Sequence, residues 1–303
     1  MLTRTPPQTR RGFAAITAPL VLVLAAGCGL SAADKAAISQ FSRAATTVGE
    51  VTASELVAMR DAVIQMNVAR LTLTGREQGL PGPNELEQTF TAQHVTTRVA
   101  AANALRSYGE MLLALSEDRP ERQLRAAADQ FVSSVRSLPD VKQHVTDSQL
   151  DAIGTAVQTV GGLVVEWKKK RALESIVPRA NPAVARLCDL LAADFDPTGT
   201  QLGAQLVVTT SLLRARSDDA FRRATTPGER ASVLTAYRLA NANEVRRAEL
   251  LSRVAQAVRD MKKANAQLTQ ALANQRDLGA EDLKSFSATV NTLVTVLQTL
   301  SKP

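Results

Sequence analysis

His94 and His144 are the only histidines in this chain of 303 residues, and Cys28 and Cys188 the only cysteines. Zinc hydrolysis needs imidazoles at helical spacing, as in His-Glu-x-x-His, and that spacing does not occur. Glu-x-x-His pairs, from which di-iron bundles build their centres, are absent too. So are a phosphate-cradling Gly-x-x-x-x-Gly-Lys and a Gly-x-Ser-x-Gly nucleophile turn. His94 falls on an apolar seam and reads as a core or boundary histidine. His144 sits among polar residues ahead of a helix cap and reads as a surface loop. Cys188, between Leu187 and Asp189, reads as a small buried hydrophobe. The expectation is a protein with no catalytic residues, no metal and no cofactor.

Cys28 stands in a different setting. The 27 residues before it carry Arg4, Arg10 and Arg11 but no acid, and the stretch from Gly12 to Gly27 is uncharged. A basic head, a short apolar segment and a small-residue exit make an export signal. The apolar segment is short of the roughly 20 residues a membrane span needs, and Pro19 interrupts it. Leu24-Ala25-Ala26-Gly27-Cys28 resembles the lipobox of bacterial lipoproteins, with Ala25 where leucine is usual. That resemblance implies cleavage between Gly27 and Cys28 and acylation of the Cys28 thiol. Two or three acyl chains would hold the protein to a membrane far more firmly than one. Thr9-Arg10-Arg11-Gly12-Phe13 also looks like a twin-arginine signal, while the run from Ala18 to Ala26 suits the general secretory route. By the same resemblance, Gly29 in place of a retention aspartate implies the periplasmic leaflet of the outer membrane in a Gram-negative cell. In a Gram-positive cell it implies the outer face of the plasma membrane. With Cys28 acylated, Cys188 has no partner for a disulfide.

One further run invites a functional reading. Trp167-Lys168-Lys169-Lys170-Arg171 is the densest cationic stretch. It reads either as a solvated carboxyl-terminal helix end, where cations are favourable, or as a membrane-facing patch with Trp at headgroup level. Elsewhere the charge is mild. Removing the signal lowers the net charge from +7 to +4, and aromatics are only 3% of residues. Neither a concentrated basic stripe nor a stacking platform is present, which argues against nucleic acid as a partner.

The elements that would carry these groups read as helices. Hydrophobic residues make up 45% of the chain, largely Ala, Leu and Val, which favours packed helices over sheets. Thr226-Pro227-Gly228-Glu229, Asp118-Arg119-Pro120-Glu121 and Thr146-Asp147-Ser148-Gln149 carry capping-box spacing. Asn84 and Asn181-Pro182 read as further starts, and Thr52-Ala53-Ser54-Glu55 as a restart after Gly49. Leu86, Phe90, His94, Thr97, Ala101, Leu105, Tyr108, Leu112 and Leu115 share one face. Leu250, Val254, Ala257, Met261, Ala264 and Leu268 share another within a helix expected from Pro227 to about Arg276. Asp218/Arg222, Asp219/Arg223, Glu121/Arg125 and Glu249/Arg253 sit at i,i+4 and mark solvated faces. Gly161-Gly162 reads as a close helix contact, a kink or a hinge. Segments 152–165, 198–213 and 285–301 hold no charge and read as central helices. On that reading Thr295→Lys is very costly.

The predicted architecture is therefore all-α: an elongated antiparallel bundle of roughly six to eight helices with coiled-coil-like seams. It divides into a signal at 1–27, a lipidated cysteine and tether at 28–33 and one helical domain at 34–303. The function this suggests is a lipid-anchored cell-envelope protein that binds, spaces or scaffolds other envelope components through a protein partner. The alternatives are a membrane-active bundle that opens to insert segment 152–165, and an envelope immunity or accessory lipoprotein.

Overall fold

In the computed structural model the described residues are 30–74, 80–117, 119–160, 166–274 and 280–300. The signal, Gly27, Cys28, Asp118 and Gly161-Gly162 lie outside them. The regular elements among the described residues are all helices, with no strand. Their order is α1 (Ala32–Leu73), α2 (Pro83–Glu87), α3 (Ala92–Ser116), α4 (Glu121–Arg136), α5 (Pro139–Lys142) and α6 (Asp147–Val160). There follow α7 (Glu166–Asp194), α8 (Leu202–Arg223), α9 (Pro227–Arg246), a π-helical turn (Arg247–Leu251), α10 (Ser252–Ala273) and α11 (Ala280–Leu300). The fold is the all-α multi-helix bundle that the heptad-like seams predict.

Helix α1 is the spine. Its 42 residues extend about 63 Å at 1.5 Å per residue. Ser31 starts it with a reciprocal cap: the Asp34 amide donates to Ser31 Oγ at 3.0 Å and the Ser31 amide to the Asp34 carboxylate at 3.3 Å. Antiparallel to it, α3 packs so closely that glycine is required at two crossings. A Cβ on Gly49 would stand 2.6 Å from the Arg106 amide nitrogen and 2.7 Å from the Ala102 carbonyl oxygen. On Gly109 it would stand 2.7 Å from the backbone of both Ser42 and Thr46. These are backbone atoms, which cannot turn aside as a side chain does. Gly49 therefore does not end a helix, and the expected restart at Thr52 does not occur. Thr52 and Glu55 are instead buried inside α1.

Around this pair, α7 and α10 pack together and against it, and α4, α6, α11 and the α8–α9 hairpin lie outside. Tyr108 of α3 donates to Asn265 of α10 at 2.6 Å, and the Asn265 amide donates to Asn181 of α7 at 2.9 Å. Three helices are thereby joined through buried polar groups that are satisfied by one another. Asn181-Pro182 is thus not a helix start. Both Pro178 and Pro182 lie within α7, held there by the burial of Val177, Ala180, Ala183 and Val184. The helix expected from Pro227 is continuous to Ala273 through the π turn, about 70 Å long. Arg246, just before that turn, reaches back to the buried Glu55 carboxylate of α1 with bonds of 2.6 and 2.7 Å.

Two more expectations are corrected. The stripe from Leu86 does not run on one helix, because Gln88 takes φ 50° and breaks it. The break turns Phe90 into the core and lets Thr91 cap α3, its Oγ1 accepting from the His94 amide at 3.2 Å. The uncharged segments are not central either. On α11 the leucines and Phe286 face inward, but Thr292, Thr295 and Thr299 are exposed. Their hydroxyls bond the carbonyl four residues back at 2.9–3.0 Å, which satisfies them in water as well as in a core. Thr155, Gln158 and Thr159 of α6 and Val208 and Leu212 of α8 are exposed likewise. The i,i+4 pairs do mark solvated faces, although Arg222 turns to Asp219, at 3.6 Å, rather than to Asp218.

Gly109→Ala and Gly49→Ala should each lower the unfolding free energy by about 1–3 kcal/mol, the usual cost of overpacking, or more. Thr295→Lys should stay within about 0.5 kcal/mol, as other exposed substitutions do. Chemical denaturation of the three variants checks both statements, and a tolerated Gly109→Ala would contradict the close crossing.

Candidate functional site

The first turns of α1 and α7 are joined by an ion pair, Lys35 Nζ to Glu166 Oε1 at 2.7 Å. The carboxyl end of α3 joins the same end of the bundle. There Glu117 accepts from Ser39 at 2.6 Å and from Arg43 and Arg119. The chain is already seated at residue 30, since Leu30 packs against the core and Ser31 caps α1. The Trp167 run therefore begins α7 at the end of the bundle where the chain enters from Cys28.

This placement corrects the bland reading of the run as a carboxyl-terminal helix end. Lys168, Lys169, Lys170 and Arg171 occupy the opening turns of α7, at the positive end of the helix dipole, where cations are disfavoured. Nor do the five residues form a single face. Lys169 is turned inward, 2% exposed, with Nζ 3.3 Å from Glu166. Burial, and then the neighbouring Lys35, lower its pKa. Trp167 is 42% exposed, with the Arg171 guanidinium 5.2 Å and the Lys168 ammonium 6.0 Å from its ring. These three side chains line a groove of about 680 Å³ between α6 and α7. Its other wall is Ser148, Asp151, Thr155 and Thr159 of α6.

At the opposite end of α7 lies a second cleft, of about 570 Å³, lined by His94, Arg98, Asp140 and Thr200. Arg98 Nε donates to the buried Asp194 at 2.7 Å, and Asp140 lies 4.0 Å from the same guanidinium. Burial raises the pKa of Asp194 despite the arginine, and its Oδ1 has no hydrogen-bond partner. His94 is half-buried, as its position on the seam predicts, and its Nδ1 lies 3.0 Å from the Thr89 carbonyl. It therefore has a backbone partner rather than a hydroxyl to activate. Cys188 is fully buried, and burial raises its thiol pKa well above the ordinary range. Among the described residues no group of three His, Cys, Asp or Glu side chains is placed to hold a metal ion. His144 is exposed, as expected.

The chain matches no protein-family model, no curated protein and no solved structure.

Sequence reasoning reached the Trp167 run but not its partners. Ser31-x-x-Asp34 is a legible capping box that fixes where α1 begins. Lys35–Glu166 and the Arg98–Asp194 pair join residues far apart in the chain, and no local signal announces them.

The Glu117 carboxylate gives a pH test of this end of the bundle. The Ser39 hydroxyl first, then Arg43 and Arg119, hold its pKa down to about 2 from an ordinary value of 4.5. A lowered carboxylate pKa stabilises the fold fully above the unfolded value, and that contribution is lost as pH falls from about 4.5 towards 2. Glu117→Gln should therefore be less stable than wild type at neutral pH, and the difference should vanish near pH 2. Parallel stability–pH curves would contradict the assignment.

Proposed function

We propose that this protein is a lipid-anchored component of a bacterial cell envelope that binds or spaces other envelope proteins and carries no catalysis. Acylation at Cys28, implied by the lipobox resemblance, supplies the anchor. The observation that carries the reading is the 2.7 Å Lys35–Glu166 pair, which sets the entry of the chain beside the Trp167–Arg171 run. Only Gly29 separates Cys28 from Leu30, a reach of at most about 7 Å over two residue steps. An acylated Cys28 would bring this end of the bundle to the bilayer surface, where Trp and cations are favoured. The His94–Arg98 cleft and the tip of the α8–α9 hairpin would then be held away from the membrane, available to a protein partner. Depending on the cell, the anchor would sit in the periplasmic leaflet of the outer membrane or the outer face of the plasma membrane.

Insertion of segment 152–165 has less in its favour. No helix among the described residues is long and apolar enough to cross a membrane. The outer face of α6 is Thr155, Gln158 and Thr159, which are polar.

Metabolic labelling with a palmitate analogue tests the anchor. Wild type should be labelled, and Cys28→Ser should be unlabelled and accumulate as uncut precursor. Equal labelling of the two would overturn the reading.

A further inference from the structure

We infer that the groove between α6 and α7 is a binding site for the phosphate of an anionic glycerophospholipid headgroup. The inference rests on the membrane-proximal placement argued above but adds a ligand to it. The decisive feature is a local excess of cation over carboxylate, the two nearby acids being paired elsewhere. Glu166, the acid that opens α7, is taken by Lys35 at 2.7 Å and by Lys169 at 3.3 Å, both on the same Oε1. Asp151, the acid on the opposite wall, is taken by Arg136 at 2.5 Å. Lys168 and Arg171 make no ion pair among the described residues, and Arg179, farther along the groove, spends its guanidinium on Ser175.

Two cations held at the positive end of a helix dipole, with the lining carboxylate Asp151 already paired to Arg136, are complementary to a phosphate anion. Arg171 adds a forked donor and Lys168 a point charge, both set over the Trp167 ring. The facing wall supplies Ser148, Thr155 and Thr159, whose hydroxyl oxygens can accept from the glycerol hydroxyls of such a headgroup. Thr155 and Thr159 each donate to a carbonyl of their own helix, at 2.9 and 2.8 Å, so towards a ligand these two hydroxyls can only accept. Trp167, half in and half out of water, fits the interfacial level at which headgroups lie. A soluble phosphate ester offers the same anion. The placement of the groove beside the entry of the chain favours the lipid.

Trp167 is the only tryptophan in the chain, so its emission reports this groove alone. The full chain, reconstituted in phosphatidylcholine vesicles with and without phosphatidylglycerol, should show blue-shifted emission and quenching by brominated lipid only in the anionic vesicles. The double variant Lys168→Glu/Arg171→Glu should lose at least about tenfold in sensitivity to the anionic lipid, at roughly 1 kcal/mol for each cation near the surface. Acids are favourable in the first turns of a helix, so the variant should keep its helical spectrum and melting point. Lys168→Arg should retain the response. Identical emission in the two vesicles, or an undiminished response of the double variant, would overturn the inference. A full shift produced by millimolar glycerol phosphate over neutral vesicles would also overturn it, in favour of a soluble ligand. Uncut Cys28→Ser protein, added from solution, separates the two claims. A response there upholds the groove even where acylation fails, and an acylated protein without a response refutes the groove alone.

Discussion

The contact between α1 and α3 constrains everything else in the molecule. Two long helices meet backbone to backbone at Gly49 and Gly109, where a methyl group would stand within 2.8 Å of its neighbours. Close approach of this kind fixes rotation and register together, because neither helix can slide without bringing a larger residue to the crossing. Once the register is set, Ser39 and Arg43 meet Glu117 at one end and Arg60 meets Glu87 at the other. The outer helices then pack on surfaces whose orientation is already decided. Tyr108, Asn265 and Asn181 tie α3, α10 and α7 at mid-length through groups that would be costly if mispaired.

The polarity of the bundle follows from the same constraint. Because α3 returns antiparallel to α1, and α7 runs with its first turn beside the first turn of α1, the entry of the chain and the Trp167 run share an end. The buried Arg98–Asp194 pair and its cleft lie at the other end of α7, 29 residues or about 43 Å along the helix. If Cys28 carries the proposed anchor, the exposed Trp167 and the cations of the run would lie at the membrane end and the polar cleft at the other, so the molecule would stand on the bilayer rather than lie along it.

Much of the fold was legible. Thr226-x-x-Glu229 and Thr146-x-x-Gln149 form the reciprocal caps their spacing predicts, and the seam from Leu250 to Leu268 faces the core. The errors have one physical source: local rules yielded to packing. Gly49 reads as a break, yet serves a helix crossing. Asn181-Pro182 reads as a start, yet the buried face of α7 carries one helix through both Pro178 and Pro182. Gln88 has no local signal for a positive φ, and the burial of Phe90 accompanies it. Lack of charge on α11 reads as burial, but threonines bonded to their own backbone are equally at ease in water. Of the candidate site, the sequence exposes the cations of the run and conceals their pairing. Lys169 turns inward and Glu166 is occupied by a lysine from another helix, and both facts depend on contacts between distant parts of the chain.

The orientation of the acylated protein on a bilayer tests the account most directly. Single-cysteine labels at Ala33→Cys, beside the chain entry, and at Thr200→Cys, beyond the end of α7, would be compared for energy transfer to an acceptor dye at the membrane surface. Cys188 is buried and Cys28 would be acylated, so neither competes for the label. The account predicts strong transfer from position 33 and little from position 200, consistent with a separation of about 40 Å or more along the helix axes. Equal transfer from the two positions, or stronger transfer from 200, would show that the bundle lies flat or inverted and would contradict it.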